Sequence, residues 1–275
     1  MELPQKLRVI ASGFALMAYL MLTPFGHLPV GTAYADTLDE QVLPDLQGAS
    51  LRRELDRRYS PVRTLGYRLA REELYTNIDN ADGMVEGIYS GYTASIPKNS
   101  PMPRLVASSV GINAEHVWPQ SLGASGMAKS DMHILYPADE EVNQERSNYP
   151  FADIVDSQTD SWFLEDEEFF EIPQENIDAY SELYKPSTRS KRVFEPREQV
   201  KGDVARAMFY FHTVYPQQAD SGFFNRQKRT LCAWQAQDPV SAKERERSNN
   251  IASTGQGNQN PYVADATLAE RAYCG

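Results

Sequence analysis

Glu115 and His116 stand side by side in Asn113-Ala114-Glu115-His116-Val117-Trp118-Pro119-Gln120-Ser121. A third side chain with ligand chemistry, Asn143, lies in Glu141-Val142-Asn143-Gln144-Glu145-Arg146-Ser147-Asn148-Tyr149-Pro150-Phe151. An imidazole that is uncharged near neutral pH can take a proton from water. A carboxylate and an amide oxygen can hold a hard divalent cation that keeps several of its own waters. That combination suits hydrolysis of a phosphodiester, whose anionic oxygens repel nucleophiles and whose alkoxide is a poor leaving group. A general base answers the first difficulty and a metal the second. His116 is therefore expected to be the base, with Glu115 and Asn143 as ligands of one Mg²⁺; Mn²⁺ and Ca²⁺ are the alternatives. Oxygen donors argue against zinc, which takes His or Cys.

Each of these residues also has a plainer reading. Glu-His pairs are common on surface strands, and a lone asparagine most often caps a helix. His133, in the apolar run of Lys129-Ser130-Asp131-Met132-His133-Ile134-Leu135-Tyr136-Pro137, reads as a packed histidine, and Asp131 as a structural hydrogen-bond acceptor. Arg146 is as suited to a structural clamp as to a phosphate contact. Lys129, Arg146 and Asn148 are the candidates for touching substrate.

The elements that must position these groups follow from the chain around them. Residues after the Glu-His pair pass through a Pro-containing turn and a Gly-rich loop. A short apolar run then leads into the polar segment with Asn143. The pattern predicts strand, loop, strand, helix, with room for one metal between Glu115, His116 and Asn143. Upstream, residues 50–58 predict a short polar helix with Ser50 as N-cap, and residues 67–74 a second helix. Residues 77–83 predict an Asx-type turn rather than a calcium loop, because Ala81 and Gly83 fall where ligands would be needed. Residues 84–92 predict a strand with its exit turn. Downstream, residues 203–215 predict a helix with Val204, Met208, Phe211 and Tyr215 on one apolar stripe. Residues 249–262, rich in amides and glycine, predict a loop. One α+β domain over residues 36–275 accommodates all of this, and a chain of 275 residues can bury a substantial core.

The first 35 residues read differently. Lys6 and Arg8 precede a largely apolar run over residues 9–22, and Ala33-Tyr34-Ala35 is a small-x-small cleavage signal before Asp36. This predicts a secretory signal peptide, hence a periplasmic or secreted protein without a membrane span; the alternative is a membrane anchor, for which the run is short. An oxidising compartment favours a bridge between Cys232 and Cys274, the sole cysteines, over two buried thiols. The full chain carries a formal charge of −11. Removing the net +1 of Glu2, Lys6 and Arg8 leaves −12, which opposes nucleic-acid binding at long range. Residues 153–171 hold eight acidic residues and no Lys or Arg, the pattern of a solvated face. Residues 185–206 and 226–229 reverse the sign, and the expectation is a local basic face that makes weak, salt-sensitive, sequence-independent contacts to backbone phosphates.

Taken together, the three site stretches resemble the bacterial endonuclease I family, periplasmic and secreted nonspecific nucleases built on a His-Me finger (ββα-metal) core. Gly202-Asp203-Val204-Ala205-Arg206-Ala207-Met208-Phe209-Tyr210 and Gln256-Gly257-Asn258-Gln259-Asn260-Pro261 resemble family segments too, and Ile88-Tyr89-Ser90-Gly91 is a looser match. The resemblance runs from about residue 66 to residue 262. It implies a His-Me finger core embedded in a mostly helical single domain. It further implies His116 as general base, Glu115 and Asn143 as metal ligands, and metal-dependent hydrolysis of DNA, with RNA as a further substrate, leaving 5′-phosphate ends. No protein partner is implied. One departure stands out: some members carry an arginine in the loop after the Glu-His motif, whereas here residues 122–128 contain none and Lys129 is the nearest cation. The rival reading is an exported, non-catalytic protein that binds nucleic acid or a surface partner on the same fold. A metallopeptidase is disfavoured by the lack of a His-Glu-x-x-His helix.

Overall fold

A computed structural model describes residues 41–275, so the expected signal peptide lies outside the described residues. Helix α1 (Gly48–Tyr59) forms where a helix was expected, but Gln47 occupies the N-cap position. The hydroxyl of Ser50 instead donates to the Gln47 carbonyl, so the helix starts one turn before the serine. Helix α2 (Tyr67–Glu73) runs into a wider turn over Leu74–Ile78. Strands β1 (Asn80–Ala81), β2 (Met84–Glu86) and β3 (Thr93–Ser95) make a small antiparallel sheet. Asp82 and Gly83, both at positive φ, turn β1 into β2, and Asn80 Oδ1 accepts the Gly83 N–H. That is Asx-turn chemistry. Asp79 is taken by Arg247, with bonds of 2.7 and 3.0 Å.

Helix α3 (Pro103–Ser109) opens on its proline and leads into the central hairpin. Strand β4 (Ile112–His116) pairs antiparallel with β5 (Leu135–Asp139), Glu115 opposite Tyr136 and His116 opposite Leu135. Helix α4 (Glu140–Arg146) follows without a linker. Asp139, the last residue of β5, caps it: Oδ1 accepts the N–H groups of Glu141 and Val142, both at 3.0 Å. The order strand, strand, helix is the one expected from the sequence. The hairpin lies between two apolar clusters. Ile112 and Leu135 join Leu74, Tyr75, Val85 and Ile251 in one, while Val117, Trp118, Ile134 and Tyr136 join the other.

The acidic stretch folds as two strands of a four-stranded antiparallel sheet: β6 (Ser161–Leu164), β7 (Glu167–Phe169), β8 (Ser181–Tyr184) and β9 (Val193–Glu195), in spatial order β7-β6-β8-β9. Its eight carboxylates are exposed, as expected of a solvated face, while Trp162 and Phe163 are buried.

Helix α5 (Lys201–Val214) is the main buried element. The expected stripe is there, but Ala205, Ala207, Phe209 and Tyr210 are buried as well, so the helix is enclosed rather than amphipathic. Helices α6 (Ser221–Gln237), α7 (Ala242–Ser253) and α8 (Pro261–Ala264) complete the chain. Residues 249–253, expected as loop, finish α7. Ser241 caps that helix and Ile251 anchors it in the core, which outweighs the amide-rich composition. Cys232 on α6 is joined to Cys274 at a Cα separation of 5.7 Å, tying the C-terminal turn to the body. Among the described residues no helix is long and apolar enough to cross a membrane.

Candidate active site

Helix α4 faces β4 with residues one turn apart, and these meet strand residues two apart. Asn143 Nδ2 donates to Asn113 Oδ1 at 2.6 Å, and Arg146 Nη1 lies 3.3 Å from Glu115 Oε1. Residues i and i+3 share a helix face as i and i+2 share a strand face, so the two pairs align. This register brings Asn143 and Glu115 to one side of β4. Glu115 is buried and its Oε1 also accepts the Tyr89 hydroxyl at 2.6 Å. Burial pushes its carboxyl above the usual range, against the pull of the Arg146 guanidinium and the Tyr89 hydrogen bond.

Tyr89 comes from the turn between β2 and β3. That turn fits because Gly87 lies against β5: a Cβ there would sit 3.0 Å from the Asp139 nitrogen. The Ile88 N–H donates to the Pro137 carbonyl at 2.8 Å.

His116 ends β4 and belongs to a second group. Its Nε2 is 2.9 Å from the Lys129 carbonyl oxygen, and its Nδ1 is 3.3 Å from the Gln120 amide nitrogen. A carbonyl oxygen only accepts, so Nε2 carries the proton and Nδ1 keeps its lone pair. The Gln120 amide donates to that lone pair, and Gln120 is itself exposed. The ring stacks on Tyr67, with centroids 5.6 Å apart at 28°. Burial first, and then the positive charges of Lys129, Arg146 and Arg71, depress its pKa to about 4, so the imidazole is uncharged at neutral pH. The short bond fixes Nε2 as the protonated nitrogen, and the long 3.3 Å contact to an exposed amide leaves Nδ1 as the nitrogen able to accept a proton.

The turn after His116 is held from below. Trp118 is buried and stacks on Phe211 of α5 at 4.4 Å, and its Nε1 donates to the Leu122 carbonyl. Gly123, at φ +131°, lies so close to Gln218 that a Cβ would meet its carbonyl oxygen at 2.1 Å. On the far side of the loop, Asp131 is fully buried. It accepts from Tyr210, Tyr215, Gln256 and the His133 N–H at 2.7 to 2.9 Å. His133 Nε2 meets the Asn258 carbonyl at 2.9 Å. Asp131 and His133 are thus structural, as their plainer readings had it. The hub sits two residues from the Lys129 carbonyl that orients His116.

The substrate-contact candidates fall in three places. Lys129 Nζ lies 4.8 Å from the centroid of the Tyr67 ring that stacks on His116, and the Arg71 guanidinium lies 4.4 Å from the same centroid. Arg146 is not at the surface. It is 1% exposed, and it donates to the carbonyls of Val117 at 2.7 Å and Ser147 at 3.0 Å while pairing with Glu115. It is a clamp, because the helix register turns it inward. Asn148 bonds Ser121 at 3.2 Å, beside an exposed concavity that Arg189 and Arg226 also line.

The expected basic face is thinner than the sequence suggested. Arg197 is buried against Glu86, Lys201 against Glu195 and Glu198, and Arg206 against Glu244 and Asp203. Charge alternation along the chain carries no sign that these three point inward.

The donor set fits a hard cation with a largely aqueous shell. Asn143 uses its Nδ2 on Asn113, which leaves Oδ1 as acceptor. Glu115 has four acceptor positions, and Tyr89 and Arg146 use Oε1. Among the described residues no three His, Cys, Asp or Glu side chains converge to hold a metal by themselves. Sequence reasoning gave no role to Tyr89, Asn113, Gln120, Tyr67 or Arg71. The first three lie inside quoted motifs, but nothing in the sequence shows which side chain each one meets.

The Endonuclease I family model matches residues 48–267, and the chain belongs to that family. It is 31% identical over 169 residues to the "Extracellular ribonuclease" of Bacillus subtilis (strain 168), covering 55% of this chain and 50% of that protein. It is 31% identical over 135 residues to an "Extracellular deoxyribonuclease" of Aeromonas hydrophila, covering 49% of each chain. A "Periplasmic deoxyribonuclease" of the same organism is 30% identical over 135 residues, 49% of this chain and 47% of that protein. The chain spans about half the length of the curated relatives it matches.

Proposed function

We propose that the protein is an exported, metal-dependent, nonspecific endonuclease that hydrolyses DNA and also RNA. The observation that carries this reading is the state of His116. Its Nε2 is committed to the Lys129 carbonyl and its Nδ1 lone pair faces the exposed Gln120, one residue along β4 from the buried Glu115, whose side of the strand Asn143 shares. Nδ1 takes the proton from an attacking water as the water oxygen bonds to phosphorus. The P–O3′ bond breaks, and the products are a 5′-phosphate and a 3′-hydroxyl that takes its proton from solvent. Glu115 and Asn143 hold one divalent ion, for which Mg²⁺ is the best match, and that ion when bound neutralises charge on the phosphate and on the leaving oxygen. Tyr89 and Arg146 orient Glu115, and Asn113 orients Asn143. The names of the relatives, ribonuclease and deoxyribonuclease, extracellular and periplasmic, support both substrates and export.

The test is cleavage of supercoiled plasmid and of a structured RNA, with Mg²⁺ and with EDTA, alongside His116→Ala. Metal-dependent nicking that the variant loses by roughly 10²- to 10⁴-fold is expected for removal of a general base. A folded wild-type protein that retards plasmid on a gel but never cuts it, with any divalent metal, would replace this reading with that of a binding protein.

A further inference from the structure

Exposed Arg57, Arg58 and Arg68 pair with glutamates on their own helices, and Arg52 and Arg63 donate to backbone carbonyls. The buried arginines meet carboxylates: Arg146, Arg197, Arg206 and Arg247. Arg189, Arg192 and Arg226 have no carboxylate partner among the described residues, although the chain carries a net charge of −11. Arg189 and Arg226 are exposed and line one open concavity with Leu122, Asn148, Tyr149 and Pro150. Arg189 Nη2 lies 3.5 Å from the Asn148 amide oxygen. Arg192 Nη1 donates to the Tyr149 hydroxyl at 3.0 Å, and both Arg189 and Arg192 sit within 6 Å of that ring. Guanidinium groups that converge on one concavity without a carboxylate are suited to bidentate recognition of a phosphate.

The position of the concavity says which anion. Asn148 bonds Ser121, and the neighbouring Gln120 touches the Nδ1 of His116. Asn148 also lies two residues beyond Arg146, the clamp on Glu115. The concavity therefore adjoins the proposed hydrolytic centre at the C-terminal end of α4. We infer that Arg189 and Arg226, steadied by Asn148 and Tyr149, bind a backbone phosphate of the substrate strand next to the one that is cut. The inference rests on the nuclease reading for the identity of the strand. It assigns the local cation source to the segment around 189–192 and to α6, whereas Arg197, Lys201 and Arg206 hold the fold.

The test reads binding without cleavage. Affinity of a fluorescein-labelled single-stranded oligonucleotide is measured by anisotropy across a salt series in EDTA, using His116→Ala as parent and adding Arg189→Gln with Arg226→Gln. Affinity at low salt should fall roughly tenfold, and the slope of log K against log salt should drop by about 1.4, two contacts at ~0.7 each on a single strand. A control with Arg53→Gln and Lys98→Gln changes net charge equally at two exposed cations elsewhere and should leave the slope as it was. Equal losses from the two pairs would overturn the local site in favour of a diffuse charge effect. An unchanged slope in the Arg189 and Arg226 variant, or no binding by the parent at low salt, would overturn it as well. Failure of the nuclease reading itself would appear separately, as uncut plasmid with His116 intact.

Discussion

Three histidines fall among the described residues, and burial depresses the pKa of each, while their surroundings differ. His133 is buried against the Tyr210 ring, and its Nε2 meets the Asn258 carbonyl. His212 stacks on Phe224 at 3.9 Å and meets the Tyr273 hydroxyl at 2.9 Å. Burial, then Arg52 and Lys228, lower its pKa to about 4. The unfolded chain binds a proton near pH 6.5 and the folded one does not. Stability from this group is therefore complete above about pH 6.5 and is lost as pH falls toward about 4. Glu182, raised to about 7, and Glu244, raised by burial, act in the opposite sense, so the curve of the wild type alone is a poor readout. The difference between His212→Phe and wild type isolates the group. It should shift in favour of the variant by about 2 kcal/mol between pH 7 and pH 4.5, after discounting for partial solvent access. Urea unfolding at the two pH values measures it, and a pH-independent difference would contradict the assignment.

The elements around the site are short, and their precision comes from what they are tied to. Helix α4 has seven residues and would not persist alone. Its Asp139 cap, its capture of Glu115 through Arg146 and the packing of Val142 hold it. The loop between β4 and β5 is likewise held by the Asp131 hub, which draws α5 and the 256–258 segment onto the residues just after Lys129. Asp131→Ala would leave two tyrosine hydroxyls, an amide and a backbone N–H without their acceptor in a dry interior. The expected loss is about 3–5 kcal/mol in urea unfolding. Cleavage by the fraction still folded should also fall, because the Lys129 carbonyl no longer fixes the His116 ring. A loss under about 1 kcal/mol would mean the hub is relaxed by solvent rather than by protein.

At the scale of the whole molecule, the disulfide links α6 to the C-terminal turn across 42 residues of sequence. A loop of that length gives about 4 kcal/mol in the chain-entropy model. Replacing Cys232 and Cys274 together with serine should lower the urea midpoint accordingly while leaving the site, built on β4, β5 and α4, able to cut nucleic acid once refolded. An unchanged midpoint would show that packing of Leu268, Ala269 and Tyr273 already holds the C-terminus. The same scale contains the electrostatic tension of an acidic chain for which nucleic-acid binding is proposed. The eight carboxylates of the β6–β7 region face solvent, and the buried cations of α5 are neutralised, so the field a nucleic acid meets near the site depends on a small number of exposed arginines.

The candidate residues of the centre stood out in the chain by their types, although each also had a plainer reading. The strand, strand, helix order around Glu115, His116 and Asn143 could be read from the chain, the roles expected of these residues came from the family resemblance, and two cysteines allow one bridge. Hydrophobic periodicity also marked α1, α2 and α5 well. Contacts between segments far apart in sequence were decided only by the fold. Tyr89 reaches Glu115 because Gly87 lets its turn lie on β5. Arg146 faces inward, and Asn143 toward Asn113, because of a helix register that one inserted residue would shift. Arg197, Lys201 and Arg206 read as surface charge in one dimension and are buried ion pairs in three. A sequence states which groups are present; whether a charge meets solvent, a carboxylate or a phosphate is set by the packing of distant elements, where burial and pairing must be satisfied together.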